Sequence, residues 1–222
     1  MFVRFGNSDC PSDYSIDGKS IAKVDSVRDL GIIVDRKLLF KNHCLNVVKK
    51  ASFLSHNVLR FFKFCDPKVK YFISRTYVLP VILYNIEFYY PTSKTHKFCL
   101  ESVQRRFSKR VYPPGLNYDQ WLQLLSEISI ESKHKTMLLT FMYKIKYSDF
   151  RVDGFNYDNV HNITRGSSSK IVLPFCRTNV RKQFPFLRCI LLWNDLAPDT
   201  SDLVSLAAFR RFLRKNVPEP QA

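Results

Sequence analysis

The chain has 222 residues, 45% of them hydrophobic and 24% charged, which excludes a disordered polybasic tail and predicts packed cores. Lys and Arg outnumber Asp and Glu by 35 to 19, so the net charge of +16 predicts an acidic partner. The longest apolar stretch, residues 77–84, is far shorter than the roughly 20 residues of a membrane span, and residues 1–10 lack a secretory signal. We therefore expect an intracellular protein, in the nucleus or the cytoplasm.

The first forty residues predict a small β unit. A short strand is expected at residues 2–5, and a hairpin over residues 14–21, because Asp17-Gly18 readily adopts the positive φ angles of a type I′ turn. The β-branched run from Leu30 to Val34 predicts another strand. With few large apolar side chains, this unit is expected to be the least stable part of the chain and to complete a sheet that begins upstream.

The hydrophobic period becomes helical at His43. The apolar side of this first helix is predicted to comprise Val47, Ala51, Leu54, Val58 and Phe61. Asp66-Pro67 provides an N-cap and a first-turn proline for a second helix. Its predicted apolar side consists of Val69, Ile73, Thr76 and Pro80, and Pro80 should kink or end it.

A third helix begins after Thr92 and is stopped by the proline pair at 113–114. Its apolar stripe is Leu100, Val103, Phe107 and Val111. Downstream, Asn117 and Ser205 are predicted helix caps, residues 130–145 a core helix, and residues 149–170 a polar loop. The expected fold class is α+β, predominantly α-helical, with a hairpin and a strand followed by a helical bundle.

Charge divides the chain into three predicted regions. Residues 1–40 are neutral, whereas residues 41–112 carry fourteen basic and three acidic side chains. Residues 113–222, the C-terminal helical region, have a smaller excess of basic side chains. The middle region is therefore the predicted electrostatic footprint of a polyanion.

A search for catalytic and metal-binding patterns returns little. Asp149 with Asp153 and Asp199 with Asp202 are better explained as capping or solubilising residues than as a two-metal site. The six cysteines form no CxxC pair, and His96 with Cys99 would be only half of a zinc site. Cys–His nucleophile chemistry stays open as an alternative, but we expect no catalysis and no cofactor in this chain.

Basic and aromatic side chains alternate on the predicted helices, as on surfaces that neutralise phosphates and stack bases. The candidate nucleic-acid-binding residues are Lys49, Phe53, Arg60, Lys63, Arg105, Arg106, Lys109 and Arg110. The first four share one predicted helix face. Arg105, Arg106 and Lys109 share a second predicted helix face, and Arg110 lies at the edge of that face. The competing interpretation is a solvated charged face with aromatics packed against neighbouring helices.

Several segments resemble one known family in order and spacing. Residues 29–43 resemble the "DLGV..D..L.F..H" stretch that follows the palm in non-LTR (LINE, jockey-like) retrotransposon reverse transcriptases. Residues 77–84 are similar to the family's "YVRPILEY", residues 100–107 to "LE.VQRRF", and residues 192–198 to "LWN.LP". The resemblance implies the end of a palm, a thumb and a C-terminal helical region of an RNA-directed DNA polymerase.

The departures from the family decide the expected function. The Tyr-x-Asp-Asp motif lies upstream of the region that this chain resembles, so the resemblance implies a missing N-terminal polymerase portion, and Mg²⁺ only for an intact enzyme. Leu79 and Leu83 replace the family's Arg and Glu. We expect a non-catalytic fragment that grips RNA or DNA and has no membrane partner. The alternatives are a helical protein-interaction module and, ranked last, a nuclease.

Overall fold

The computed structural model describes residues 3, 14–112, 115–147, 170–182, 184–196 and 205–216. They form two compact units, Met1–Trp121 and Leu122–Ala222. The α+β class, mostly helical and with its strands near the N-terminus, is confirmed. The three-part division at residues 40 and 112 stays a prediction, and the strand at 2–5 and the loop at 149–170 lie outside the described residues, apart from residues 3 and 170.

The first hairpin forms where the sequence predicts it. Strand β1 (Ser15–Ile16) pairs antiparallel with β2 (Lys19–Ser20). Asp17 and Gly18 have φ angles of 49° and 74°, so both central residues take the positive φ of a type I′ turn. All four strand residues are exposed, and the hairpin therefore buries little apolar surface.

A second hairpin replaces the single strand predicted from Leu30 to Val34. Strand β3 (Ser26–Asp29) pairs antiparallel with β4 (Ile32–Asp35), and Leu30 and Gly31 form the turn with φ angles of 44° and 86°. The prediction was wrong at its start because Leu, a residue that strands accept, here occupies the left-handed region beside a permissive glycine. On β4, Ile32 and Val34 point into the core.

Asp35 connects this second hairpin to the first helix, α1 (Lys41–Phe61). Its Oδ1 accepts hydrogen bonds from the backbone N–H groups of Lys37 (3.0 Å) and Leu39 (3.1 Å), and its Oδ2 accepts one from Phe40 (2.6 Å). His43 Nδ1 accepts from the Ile33 N–H at 3.3 Å. The turn, the aspartate and the histidine of the "DLG…D..L.F..H" stretch thus all have structural roles.

Five further helices follow. Four lie within the first unit, and the fifth begins in the first unit and ends in the second. They are α2 (Pro67–Tyr77), α3 (Leu79–Leu83), α4 (Ile86–Tyr89), α5 (Lys94–Val111) and α6 (Tyr118–Leu124). The Asp66 carboxylate accepts from the Lys68 N–H at 2.7 Å, which confirms the predicted cap of α2. Helix α2 ends at Tyr77, before Pro80, as predicted. Pro80 lies in the first turn of α3, a position that accepts proline.

The core of the first unit lies where α1 packs against α5. On α5, Leu100, Val103, Phe107 and Val111 are all buried, so this predicted stripe is confirmed. Other parts of the predicted stripes were wrong. Phe61 is 73% exposed at the end of α1, and Val69 is 46% exposed on α2, whose buried helical residue is instead Ser74. Ser74 can be buried there because its side chain is small.

The second unit contains α7 (Ile130–Tyr147), α8 (Asn179–Lys182), α9 (Pro185–Asp195) and α10 (Leu206–Asn216). Helix α7 packs against α9 and α10 around Leu138, Trp193 and Phe209. The Ser205 hydroxyl accepts from the Ala208 N–H, which confirms the predicted cap. In the first unit, Asn117 caps α6 in the same way, with Gln120 returning a hydrogen bond to the Asn117 N–H.

None of the helices built from the described residues is long and apolar enough to cross a membrane.

Candidate nucleic-acid interface

The solvent side of α1 carries three of the predicted residues. Lys49, Phe53 and Arg60 are exposed, Phe53 to 64%. They lie opposite the buried Val47, because residues four, seven and eleven apart share a face of a helix. His56 is exposed on the same face and was missed, since a lone histidine gives no pattern in the sequence. Helix α1 contains no Asp or Glu, so its outer face has no acidic side chain of its own.

Lys63 does not belong to that helix face. Helix α1 ends at Phe61, and the Phe62 N–H closes the helix by donating to the Val58 carbonyl at 3.1 Å. Lys63 therefore lies in the following turn, with its Nζ 5.5 Å from the centre of the Phe64 ring. The prediction placed the end of the helix two residues too far along the chain.

Exposed aromatic side chains continue from α1 around this corner. We call Phe61, Phe62, Phe64 and Phe72 the aromatic corner, and their exposed fractions are 73%, 37%, 95% and 68%. The Arg60 guanidinium lies 6.0 Å from the Phe61 ring centre. The corner was missed because Phe61 was assigned to the core. Exposed rings beside cations can stack on bases, and they can also contact an apolar partner.

The basic face of α5 is present, but Arg105 differs from its neighbours. Arg106, Lys109 and Arg110 are exposed and point to solvent. Arg105 is exposed as well, but its guanidinium lies 4.5 Å from the ring centre of Tyr118 and 5.8 Å from that of Phe98. It is therefore held against two aromatic rings by cation–π contacts.

Tyr118 is itself fixed in place. Its hydroxyl donates to a carboxylate oxygen of Glu101, and burial together with that carboxylate raises the pKa of Tyr118 above its ordinary value. The hydroxyl consequently stays protonated and keeps donating at physiological pH. Arg105 is thus anchored to a protein site, which leaves it less available to a ligand than Arg106 or Lys109.

The described residues contain no group of three or more His, Cys, Asp or Glu that could hold a metal ion. Cys44 is fully buried, and this burial raises the pKa of its thiol to about 12. A protonated, inaccessible thiol is a poor nucleophile.

Comparisons with known proteins give a limited result. No family model matches the chain. An uncharacterized protein of Caenorhabditis elegans is 29% identical to the chain over 130 residues. The matched stretch covers 57% of this chain and 66% of that relative, so the chain spans just under two thirds of the relative's length. No solved structure matches.

Proposed function

We propose that this chain binds the backbone of single-stranded RNA or DNA through the outer faces of α1 and α5. The observation that carries this proposal is the exposed row Lys49, Phe53, His56 and Arg60 on a helix without acidic residues. Cations at this spacing neutralise phosphates, and the ring between them offers a stacking platform. Arg106, Lys109 and Arg110 extend the same chemistry to α5.

The wider form of the proposal is a non-catalytic fragment that resembles the thumb and C-terminal region of a non-LTR retrotransposon reverse transcriptase. Its support is the order of the four similar segments. The first of them also forms one continuous hairpin–helix unit, joined by Asp35 and His43. A fragment of this kind would hold template or primer strands for a separate polymerase portion, and would itself extend no primer with Mg²⁺ or Mn²⁺.

Salt dependence of RNA affinity tests the binding proposal. With one phosphate contact for each of the five exposed cations Lys49, Arg60, Arg106, Lys109 and Arg110, the log–log salt slope on a single strand is expected to be about −3.5. Changing Arg106 and Lys109 to Gln should make the slope shallower by about 1.4 units. The matched control removes Lys19 and Lys23, two cations of the neutral N-terminal region, and should leave the slope unchanged. A wild-type slope in the Arg106, Lys109 variant would refute the grip at α5.

Phe53→Ala separates stacking from charge. If the exposed ring stacks on a base, affinity should fall by about 1 to 3 kcal/mol while the salt slope stays constant. Because Phe53 is 64% exposed, the melting temperature should hardly change. A lower melting temperature with unchanged affinity would contradict the stacking role.

A helical protein-interaction module is the second candidate, and the aromatic corner favours it. Four exposed Phe side chains near one helix end make a surface that an apolar partner could cover. Binding to a protein partner would be specific and nearly insensitive to salt, whereas nucleic-acid binding would weaken steeply as salt rises and would be competed by arbitrary RNA.

A further inference from the structure

The first unit contains an open pocket of about 490 Å³, a volume within the range of small-molecule sites. It lies between the second hairpin, the first half of α1, and α3. The side chains that matter for its chemistry are Arg28, His43, Asn46, Lys50, Val81 and Tyr84. They come from three separate segments of the chain, which is why the sequence alone did not reveal the pocket.

Positive charge dominates the lining. Arg28 projects from β3 and Lys50 from α1, and none of the residues that line the pocket is Asp or Glu. Within the described part of the chain, neither cation has an ion-pair partner. Two unpaired cations facing one cavity favour a dianionic group such as a phosphate monoester.

His43 lines the pocket as a buried, neutral ring. Its Nδ1 accepts from the Ile33 N–H, so the hydrogen of the neutral ring is on Nε2. The side chain is 6% exposed, and Nε2 is buried with no hydrogen-bond partner among the residues described. Burial and the nearby Arg28 lower the pKa of His43, which keeps the ring neutral. Asn46 adds an amide that can donate and accept.

The remaining wall is apolar and partly aromatic. Pro80 and Val81 of α3 line it together with Tyr84, whose hydroxyl donates to the Leu30 carbonyl at 3.1 Å. This hydrogen bond ties Tyr84 to the hairpin turn. A fixed ring beside aliphatic carbons suits a planar, weakly polar group.

We propose that this pocket binds a mononucleotide, with its phosphate between Arg28 and Lys50 and its base along Pro80, Val81 and Tyr84. The proposal does not depend on backbone binding by α1 and α5. Lys49, Phe53 and Arg60 do not line the pocket. Asn46 and Lys50 lie within about 60° of Phe53 around α1, so the pocket adjoins the outer face without sharing its residues. Asn46 lines the pocket and can donate to or accept from the ligand's polar atoms. The Nε2 of His43 is buried, and the His43 ring packs edge-on against Tyr89 with 4.5 Å between the ring centres, so His43 shapes the wall of the pocket.

Calorimetric titration of the full chain with UMP, uridine and inorganic phosphate, at constant ionic strength, tests the proposal. UMP should bind saturably, and it should bind more tightly than uridine or inorganic phosphate does. Arg28→Gln and Lys50→Gln should each weaken UMP binding about tenfold, the loss typical of one charge-assisted hydrogen bond. Lys41→Gln removes an equal charge from α1 outside the pocket and should leave the affinity for UMP unchanged.

Asn46→Trp places a large ring in the pocket without changing the charge. It should abolish UMP binding while leaving the salt slope of RNA affinity at its wild-type value. The proposal is overturned if UMP does not bind saturably, if Lys41→Gln weakens UMP binding as much as Lys50→Gln does, or if Asn46→Trp still binds UMP. If the variant with Arg106 and Lys109 changed to Gln loses RNA binding but still binds UMP, the pocket and the outer faces bind their ligands independently.

Discussion

His43 shows at the residue scale how one buried side chain couples stability to pH. The ring fixes the second hairpin to α1 through the Ile33 N–H, and its pKa is lowered mainly by burial and also by Arg28. The unfolded chain, with a histidine near its ordinary pKa of 6.5, therefore binds a proton more readily than the folded protein does. Stability contributed by this residue is present above that pKa and is lost as the pH falls below it.

We expect His43→Asn to reduce this acid sensitivity. The Asn Oδ1 can replace Nδ1 as the acceptor for the Ile33 N–H, but the side chain does not titrate. Urea unfolding at about pH 7.5 and about pH 5.5 measures the effect, with a smaller loss of stability in the variant than in wild type. His56→Asn, at an exposed position, is the control and should retain the wild-type loss. An equal pH dependence in the His43 variant would contradict the assignment.

At the element scale, the turn of the second hairpin stores strain. Leu30 has a φ of 44° and is 80% exposed, so it takes a left-handed conformation without burying its side chain. Leu30→Asn should stabilise the first unit by about 1 kcal/mol, because Asn-Gly is favoured in this turn type. The backbone carbonyl that accepts from Tyr84 is retained.

Urea unfolding measures this gain. Leu116→Asn is the matched control, because Leu116 is 44% exposed but does not have a positive φ. It should give no stabilisation. A decrease in stability for Leu30→Asn would show that the leucine side chain makes a contribution that its exposure hides.

The elements also show what the sequence could and could not predict. Helix α5 and its stripe were predictable because Leu100, Val103 and Phe107 repeat with the helical period. The second hairpin was not, since Leu30 contradicts the usual turn preference. The predicted end of α1 lay two residues too far along the chain, so Lys63 is not on the predicted helix face. The pocket could not be predicted, because Arg28, Lys50 and Tyr84 come together only through tertiary packing.

For the whole molecule, the distribution of burial predicts an order of opening. The first hairpin is exposed on all strand residues, whereas β4 buries Ile32 and Val34 and contacts α1. The expectation that all of residues 1–40 is least stable can therefore be refined. Hydrogen exchange should label β1 and β2 first and protect the β4 amides nearly as well as those of α1 and α5. Equally rapid labelling of β4 would refute this order.

Cations in this chain have two kinds of surroundings. In the second unit, the buried Lys133 pairs with Glu127 at 2.8 Å and donates to the Ile128 carbonyl at 2.5 Å. This cation stabilises the fold, because breaking a buried ion pair is strongly destabilising. In the first unit, Lys49 and Arg60 are exposed and available to a ligand. Net charge alone would not separate these two uses.

The position of Arg105 between Phe98 and Tyr118 determines which substitutions the basic face of α5 tolerates. A flat guanidinium can lie along both rings, and an ammonium group cannot reproduce that contact. Exchange of Arg for Lys is therefore not conservative at residue 105. At residues 106, 109 and 110 the proposed phosphate contacts need only a mobile positive charge, so we expect Lys and Arg to be interchangeable there. When sequences of this kind are aligned, residue 105 should keep its arginine while the neighbouring cations vary freely between the two types.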